Sequence, residues 1–92
     1  MADPVFSVVV PLFNEEEVLP EMIRRLTSVM EGIGEPFEVI LVNDGSRDGT
    51  MRIVREACAA DPRFKLLSFS RNFGHQTAIT AGMDHAAGRA VV

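Results

Sequence analysis

Cysteine is almost missing from this chain of 92 residues: Cys58 is the only one, so no internal disulfide can form, and a reducing compartment fits. No apolar run approaches the roughly 20 residues that cross a membrane as a helix. The start, Met1-Ala2-Asp3-Pro4, has neither a basic segment nor a long apolar one, which predicts no secretory signal and a cytoplasmic chain. Basic residues are outnumbered, the net charge is −4, and only Arg24-Arg25 are adjacent, which argues against a nucleic-acid surface. Two glycine-rich signatures are also missing. There is no G-x-G-x-x-G after the first apolar segment and no G-x-x-x-x-G-K-[ST] anywhere, so a pyrophosphate would not be cradled by a glycine loop of either kind. No nucleophile-elbow sequence supports Ser-His-Asp chemistry. His75 and His85 have no cysteine or histidine partners at ligand spacing.

What is present is enough for one small domain. Hydrophobic residues make up 47% of the chain, which supplies a core and excludes wholesale disorder. The most informative stretch is Val39 to Thr50. An apolar, β-branched run, Val39-Ile40-Leu41-Val42, ends abruptly in Asn43-Asp44-Gly45-Ser46-Arg47-Asp48-Gly49-Thr50. Such a run predicts a strand buried on both faces, as in a parallel sheet. The polar turn then lies at the strand's carboxyl end, where open α/β sheets bind ligands.

Around it the pattern alternates. Val5–Pro11 predicts a first strand, closed by Pro11, which cannot donate to a ladder. Asn14 with Glu17 resembles a capping box, and Pro20 calls for a distorted turn over Glu15–Val18 before regular helix from about Leu19. Val18, Leu19, Met22, Ile23, Leu26, Val29 and Met30 form one apolar stripe, and Gly32 and Gly34 end the helix. Phe37–Val42 is the second strand. A second helix over about Thr50–Ala60, capped by Ser46 or Asp48, turns Ile53, Val54, Ala57 and Cys58 inward, and Asp61-Pro62 stops it. Phe64–Ser68 is a third strand, His75–Ala87 a third helix, and Arg89–Val92 the opening of a fourth strand. The expected fold class is α/β: a three-layer, Rossmann-like parallel sheet with right-handed crossovers and helices on both faces, cut off as its fourth strand begins.

Asp44 has two readings. A carboxylate at a strand's end can accept from the planar N–H groups of uracil or guanine in a charge-assisted bond, or it can serve as a turn aspartate. Asp48 is read as a helix cap without ligand contact. In the loop after the first strand, Phe13 can stack on a base and Glu15 can accept from a ribose hydroxyl; a core phenylalanine and a dipole-stabilising acid are the plainer readings. Asn14 reads as an N-cap. Glu15-Glu16-Glu17 looks like a metal cluster, but adjacent helical positions diverge in direction.

Three segments occur in order: Val8-Val9-Val10-Pro11-Leu12-Phe13-Asn14-Glu15-Glu16, Val42 through Thr50, and Ser70-Arg71-Asn72-Phe73-Gly74-His75-Gln76. Together they resemble the family 2 glycosyltransferases of GT-A fold. The nearest branch is the polyprenyl-phosphate glycosyltransferases related to dolichol-phosphate mannose synthase. The resemblance spans essentially the whole chain and implies that residues 1–92 are the N-terminal nucleotide-sugar-binding part of a glycosyltransferase domain. It implies that Pro11, Phe13, Glu15 and Asp44 line the nucleoside pocket of a UDP- or GDP-sugar. Gly45 and Ser46 would shape its rim, and Asn72, Gly74 and Gln76 would lie beside the donor. The parent enzyme would transfer the sugar to a polyprenyl phosphate at the cytoplasmic face of the membrane. The acceptor phosphate would attack the anomeric carbon with inversion, while Mg or Mn neutralises the leaving diphosphate. The family's Asp-x-Asp metal motif is absent from these residues, so no metal ligand is assigned and this stretch alone is expected to be inactive. An uncompleted sheet further predicts a homo-oligomer. Two rivals remain: a nucleotide-binding module without catalysis, and a phospho-accepting signalling domain. The second needs a lysine at a later strand end, whereas Lys65 enters its strand early.

Overall fold

The computed structural model describes residues 4–69 and 90–91. They form β1 (Phe6–Leu12), α1 (Leu19–Ile33), β2 (Phe37–Asp44), α2 (Thr50–Ala60), β3 (Phe64–Phe69) and β4 (Ala90–Val91). All four strands are parallel, in the order β3-β2-β1-β4. The chain therefore steps outward from β1 to β3, and β4 lies on the other side of β1. That reversal is the switch point of a doubly wound sheet, where crevices open at the strands' carboxyl ends.

β2 is buried at all eight positions, as its apolar run requires. Alternation along the strands sorts the core. Val8, Leu12, Phe37, Val39, Leu41 and Phe64 face one side and pack with Leu19, Met30 and Val54 of the two helices. Ile40 and Val42 face the other side, with Val9 and Leu67 against them. Both described helices thus cover the same face. The expected third helix lies outside the described residues. Ile53 and Cys58 pack against the first cluster, as the stripe of α2 predicts.

Several boundaries shift, each for a local reason. β2 runs two residues past Val42, because its ladder to β3 continues through Asn43↔Ser68 and Asp44↔Phe69. Pro11 does not close β1 but lies within it, opposite Val42. α1 does begin at Leu19, after a turn in which the Val18 and Leu19 N–H groups donate to the Glu15 carbonyl. Its N-cap is Val18, without a side-chain bond, so the Asn14–Glu17 capping box does not form. Val18 and Val29, placed on the apolar stripe, are 56% and 62% exposed: they sit on its outer margin, away from the sheet. Gly32 lies inside the helix, and Gly34, at φ +81°, supplies the left-handed cap.

The sheet's amino end holds an unanticipated charged cluster. Glu38, buried on β2, accepts from Ser7 Oγ at 2.5 Å and from Lys65 Nζ at 2.6 Å. Beside it the Arg63 guanidinium lies 4.5 Å from the Phe37 ring centroid and is held by Asp61 and Glu31. Its bonds to Asp61 hold the Asp61 carboxyl below the usual carboxylate range.

Candidate functional site

At the opposite, carboxyl end of the sheet, two loops meet. One follows β1 and carries Phe13, Asn14 and Glu15. The other follows β2 and runs from Gly45 to Gly49. The sheet order sets β1 beside the switch point, so its loop borders the crevice that a ligand would enter.

The loops are joined by side chains taking main-chain bonds. Asn14 sits at φ +51°, a left-handed conformation that asparagine tolerates better than most residues. Its N–H donates to Ser46 Oγ at 3.0 Å, and its Oδ1 accepts the Arg47 N–H at 2.8 Å. The N–H of Glu15 donates to Thr50 Oγ1 at 2.9 Å, and that of Glu16 to Asp48 Oδ2 at 3.3 Å. Within the second loop, Asn43 Oδ1 accepts the Ser46 N–H at 3.1 Å, an Asx turn that fixes the exit from β2. Gly45, at φ +77°, makes the bend.

The N-cap position of α2 is Gly49, without a side-chain bond, so neither Ser46 nor Asp48 caps the helix from that position; Asp48 acts from one residue earlier. Its Oδ1 accepts the Thr50 N–H at 3.0 Å and the Thr50 hydroxyl at 2.5 Å, which satisfies an orphan donor at the start of α2. These bonds, the hydroxyl first, hold the Asp48 carboxyl below the ordinary carboxylate range. The Glu16 carboxylate packs over Gly49, where a Cβ would collide with Glu16 Oε2. With Asp48 and Glu16 both against it, the start of α2 does not offer itself to a phosphate.

Asp44 is the last residue of β2 and is fully buried, on the sheet face that also carries Ile40 and Val42. Pro11, Phe13, Glu15, Gly45 and Ser46 are half-buried around the same strand ends. These residues, expected from the sequence, are thus brought to one end of one sheet. Asn72, Gly74 and Gln76 lie outside the described residues, as do His75 and His85. Sequence reasoning missed Asn43 and Thr50. Asn43 had a signal in the Asn-x-Gly-Ser order of the turn, and Thr50 had one in its place two residues after Asp48.

A hollow of about 220 Å³ opens between Asn14, Glu15, Glu16, Glu17, Val18 and Asp48. Among the described residues, no group of three acidic, histidine or cysteine side chains converges as a metal would need. The described residues therefore do not fit a metal centre, and Glu15, Glu16 and Glu17 do not form one. Lys65 stands at the amino end of the sheet, bound to Glu38, remote from Asp44. That placement removes the geometry a phospho-accepting aspartate would require. Among the described residues, no helix is long and apolar enough to cross a membrane.

The chain is 54% identical over 95% of its length to the uncharacterized glycosyltransferase YkcC of Bacillus subtilis (strain 168) and covers 27% of it. It is 43% identical over 94% of its length to the bactoprenol glucosyl transferase of Shigella phage SfV and covers 28% of that protein. Among solved structures, S. aureus TarS 1-349 in complex with UDP-GlcNAc matches with a TM-score of 0.79 and 29% identity, over 95% of this chain and 25% of TarS. Mannosyltransferase PcManGT from Pyrobaculum calidifontis, in complex with GDP-Man and Mn2+, matches with a TM-score of 0.73 and 27% identity, over 94% of this chain and 25% of that one. The fold is thus that of GT-A glycosyltransferases. The chain spans only about a quarter of the length of these relatives. The sequence profile of Glycosyl transferase family 2 matches residues 7–92, and the chain belongs to that family.

Proposed function

We propose that residues 1–92 form the nucleotide-sugar-binding part of a glycosyltransferase that transfers a sugar from UDP or GDP to a polyprenyl phosphate. The observation that carries this reading is the joining of the loops after β1 and β2 over the carboxyl end of the sheet, next to buried Asp44. In this reading Asp44 accepts from the base, and the half-buried Phe13 stacks on it. Glu15 accepts from the ribose, and Pro11, Gly45 and Ser46 shape the rim. Asn72, Gly74 and Gln76 are assigned beside the donor. The choice between UDP and GDP stays open in the chemistry, because both bases offer a ring N–H to a carboxylate.

The polyprenyl acceptor is supported by the name of the phage relative, a bactoprenol glucosyl transferase. In the transfer, a lipid phosphate oxygen forms a bond to the anomeric carbon as the bond from that carbon to the diphosphate breaks. The acceptor is already an anion, so no strong general base is demanded of the residues described. The Mn2+ in the PcManGT complex supports a divalent metal for the whole enzyme, held by residues other than those described here.

Calorimetric titration of the chain with UDP, GDP and their sugars tests the binding half. Saturable binding of one nucleotide is expected, and binding of neither rejects it. Transfer of labelled sugar to a polyprenyl phosphate by the full-length protein tests the rest. Binding without transfer favours the second reading, a nucleotide-binding module.

A further inference from the structure

We propose that Thr50 is a positioning residue for the nucleotide-sugar site, its buried hydroxyl tying the main chain of Glu15 to the side chain of Asp48. The proposal rests on the functional reading above and assigns a task to a residue which that reading does not use.

Thr50 opens α2 and is fully buried. Its Oγ1 accepts the Glu15 N–H at 2.9 Å and lies 2.5 Å from Asp48 Oδ1. An amide N–H can only donate and an ionised carboxylate can only accept, so the direction of the chain is forced: Glu15 N–H to Thr50 Oγ1, Thr50 Oγ1–H to Asp48. One hydroxyl serves both bonds at once. Donation to a carboxylate also makes the oxygen a better acceptor for Glu15.

The next N–H along, that of Glu16, ends on the other Asp48 oxygen at 3.3 Å. Two consecutive amides of the loop after β1 are therefore received by the Asp48–Thr50 pair. The helix that follows this loop gives it no such hold, since α1 begins at Leu19 without a side-chain cap. The amides of the loop that carries Phe13 and Glu15 are thus received by the turn after β2, while the start of its own helix holds only the Glu15 carbonyl, through the Val18 and Leu19 N–H groups. A site whose groups are displaced by a fraction of an ångström loses much of its binding and rate. A helix cap alone would predict a loss of stability on removing the hydroxyl. A positioning role predicts a loss of affinity as well, with the loop amides loosened.

The variants are Thr50→Val, which removes the hydroxyl at nearly constant volume, and Thr50→Ser, which keeps it. The first readout is calorimetric titration with whichever of UDP and GDP the unmodified chain binds. Kd should rise about tenfold in Thr50→Val and stay within about twofold in Thr50→Ser. The second readout is amide hydrogen exchange without nucleotide. Glu15 and Glu16 should exchange faster in Thr50→Val than in Thr50→Ser. Unchanged affinity in Thr50→Val, or unchanged exchange at Glu15, overturns the positioning role. Should the unmodified chain bind neither nucleotide, the proposed function fails, and the exchange comparison alone decides whether Thr50 holds the loop. If Thr50→Val does not fold, Asp48→Asn, at an exposed position, replaces it under the same two readouts.

Discussion

The main-chain N–H of Asn14 donates to Ser46 Oγ at 3.0 Å, across 32 residues of sequence. The return bond, from the Arg47 N–H to Asn14 Oδ1, makes the contact reciprocal. Asn14 thereby gives up the helix-capping task that its spacing to Glu17 suggests. It adopts a left-handed backbone and fastens the loop after β1 to the turn after β2.

Asn14→Ala should destabilise the chain by about 1–2 kcal/mol, since alanine meets the left-handed penalty and also leaves the Arg47 N–H without its acceptor. Asn14→Gly removes only the acceptor and should cost about half as much. Urea denaturation of both variants measures the difference. Equal costs would mean that the backbone conformation of Asn14 carries no strain for alanine.

Asp44→Ala should weaken nucleoside binding by about 1–3 kcal/mol, the loss expected for a charge-assisted bond. Asp44→Asn keeps the shape of this fully buried side chain and removes the charge. Titration of both with UDP and GDP, alongside their unfolding curves, separates lost recognition from lost packing. An unchanged affinity would dismiss Asp44 from the pocket.

Ser7→Ala should cost about 1–3 kcal/mol, because it removes a bond to a carboxylate buried inside the sheet. Lys65→Met should cost less, about 1 kcal/mol, because the lysine side chain is 54% exposed and its attraction to Glu38 is screened. Neither should alter nucleotide affinity, since the cluster lies at the far end of the strands. A matched loss of affinity would show that the two ends of the sheet are coupled.

Acidification should destabilise the chain. Hydrogen bonds from Thr50 depress the Asp48 carboxyl below its ordinary 3.8, and bonds from Arg63 do the same for Asp61. A depressed carboxylate contributes stability that is complete above the unfolded value and is lost as pH falls through the folded one. Denaturation midpoints should therefore be level from neutral pH down towards that ordinary value and decline as pH drops through and below it. In Asp48→Asn the decline should be shallower. A slope identical to that of the unmodified chain would remove Asp48 from the linkage.

Most of the fold was legible in the residues themselves. The buried β2, the bent entry to α1 before Leu19, the start of α2 at Thr50 and the strand at Ala90 each rest on a local rule of burial, proline geometry, capping or apolar patterning. So does the candidate site, because a polar turn after a fully apolar strand marks a carboxyl end wherever that strand is placed. The partners across the sheet were not legible. Nothing local in Ser7, Glu38 and Lys65 says that they meet, because their contact depends on strand register, and the placement of both described helices on one face depends on strand order. Asn14 shows the division most plainly. Its short polar side chain suits either a helix cap or a left-handed bend, and local energies separate the two by little. The sequence by itself determined the strands, the helices and the acidic turn, since these follow from neighbours along the chain. Only the tertiary structure decided what Asn14 holds and that the Thr50 hydroxyl receives the Glu15 amide, because these partners lie more than thirty positions away along the chain, brought near by the parallel pairing of β1 with β2.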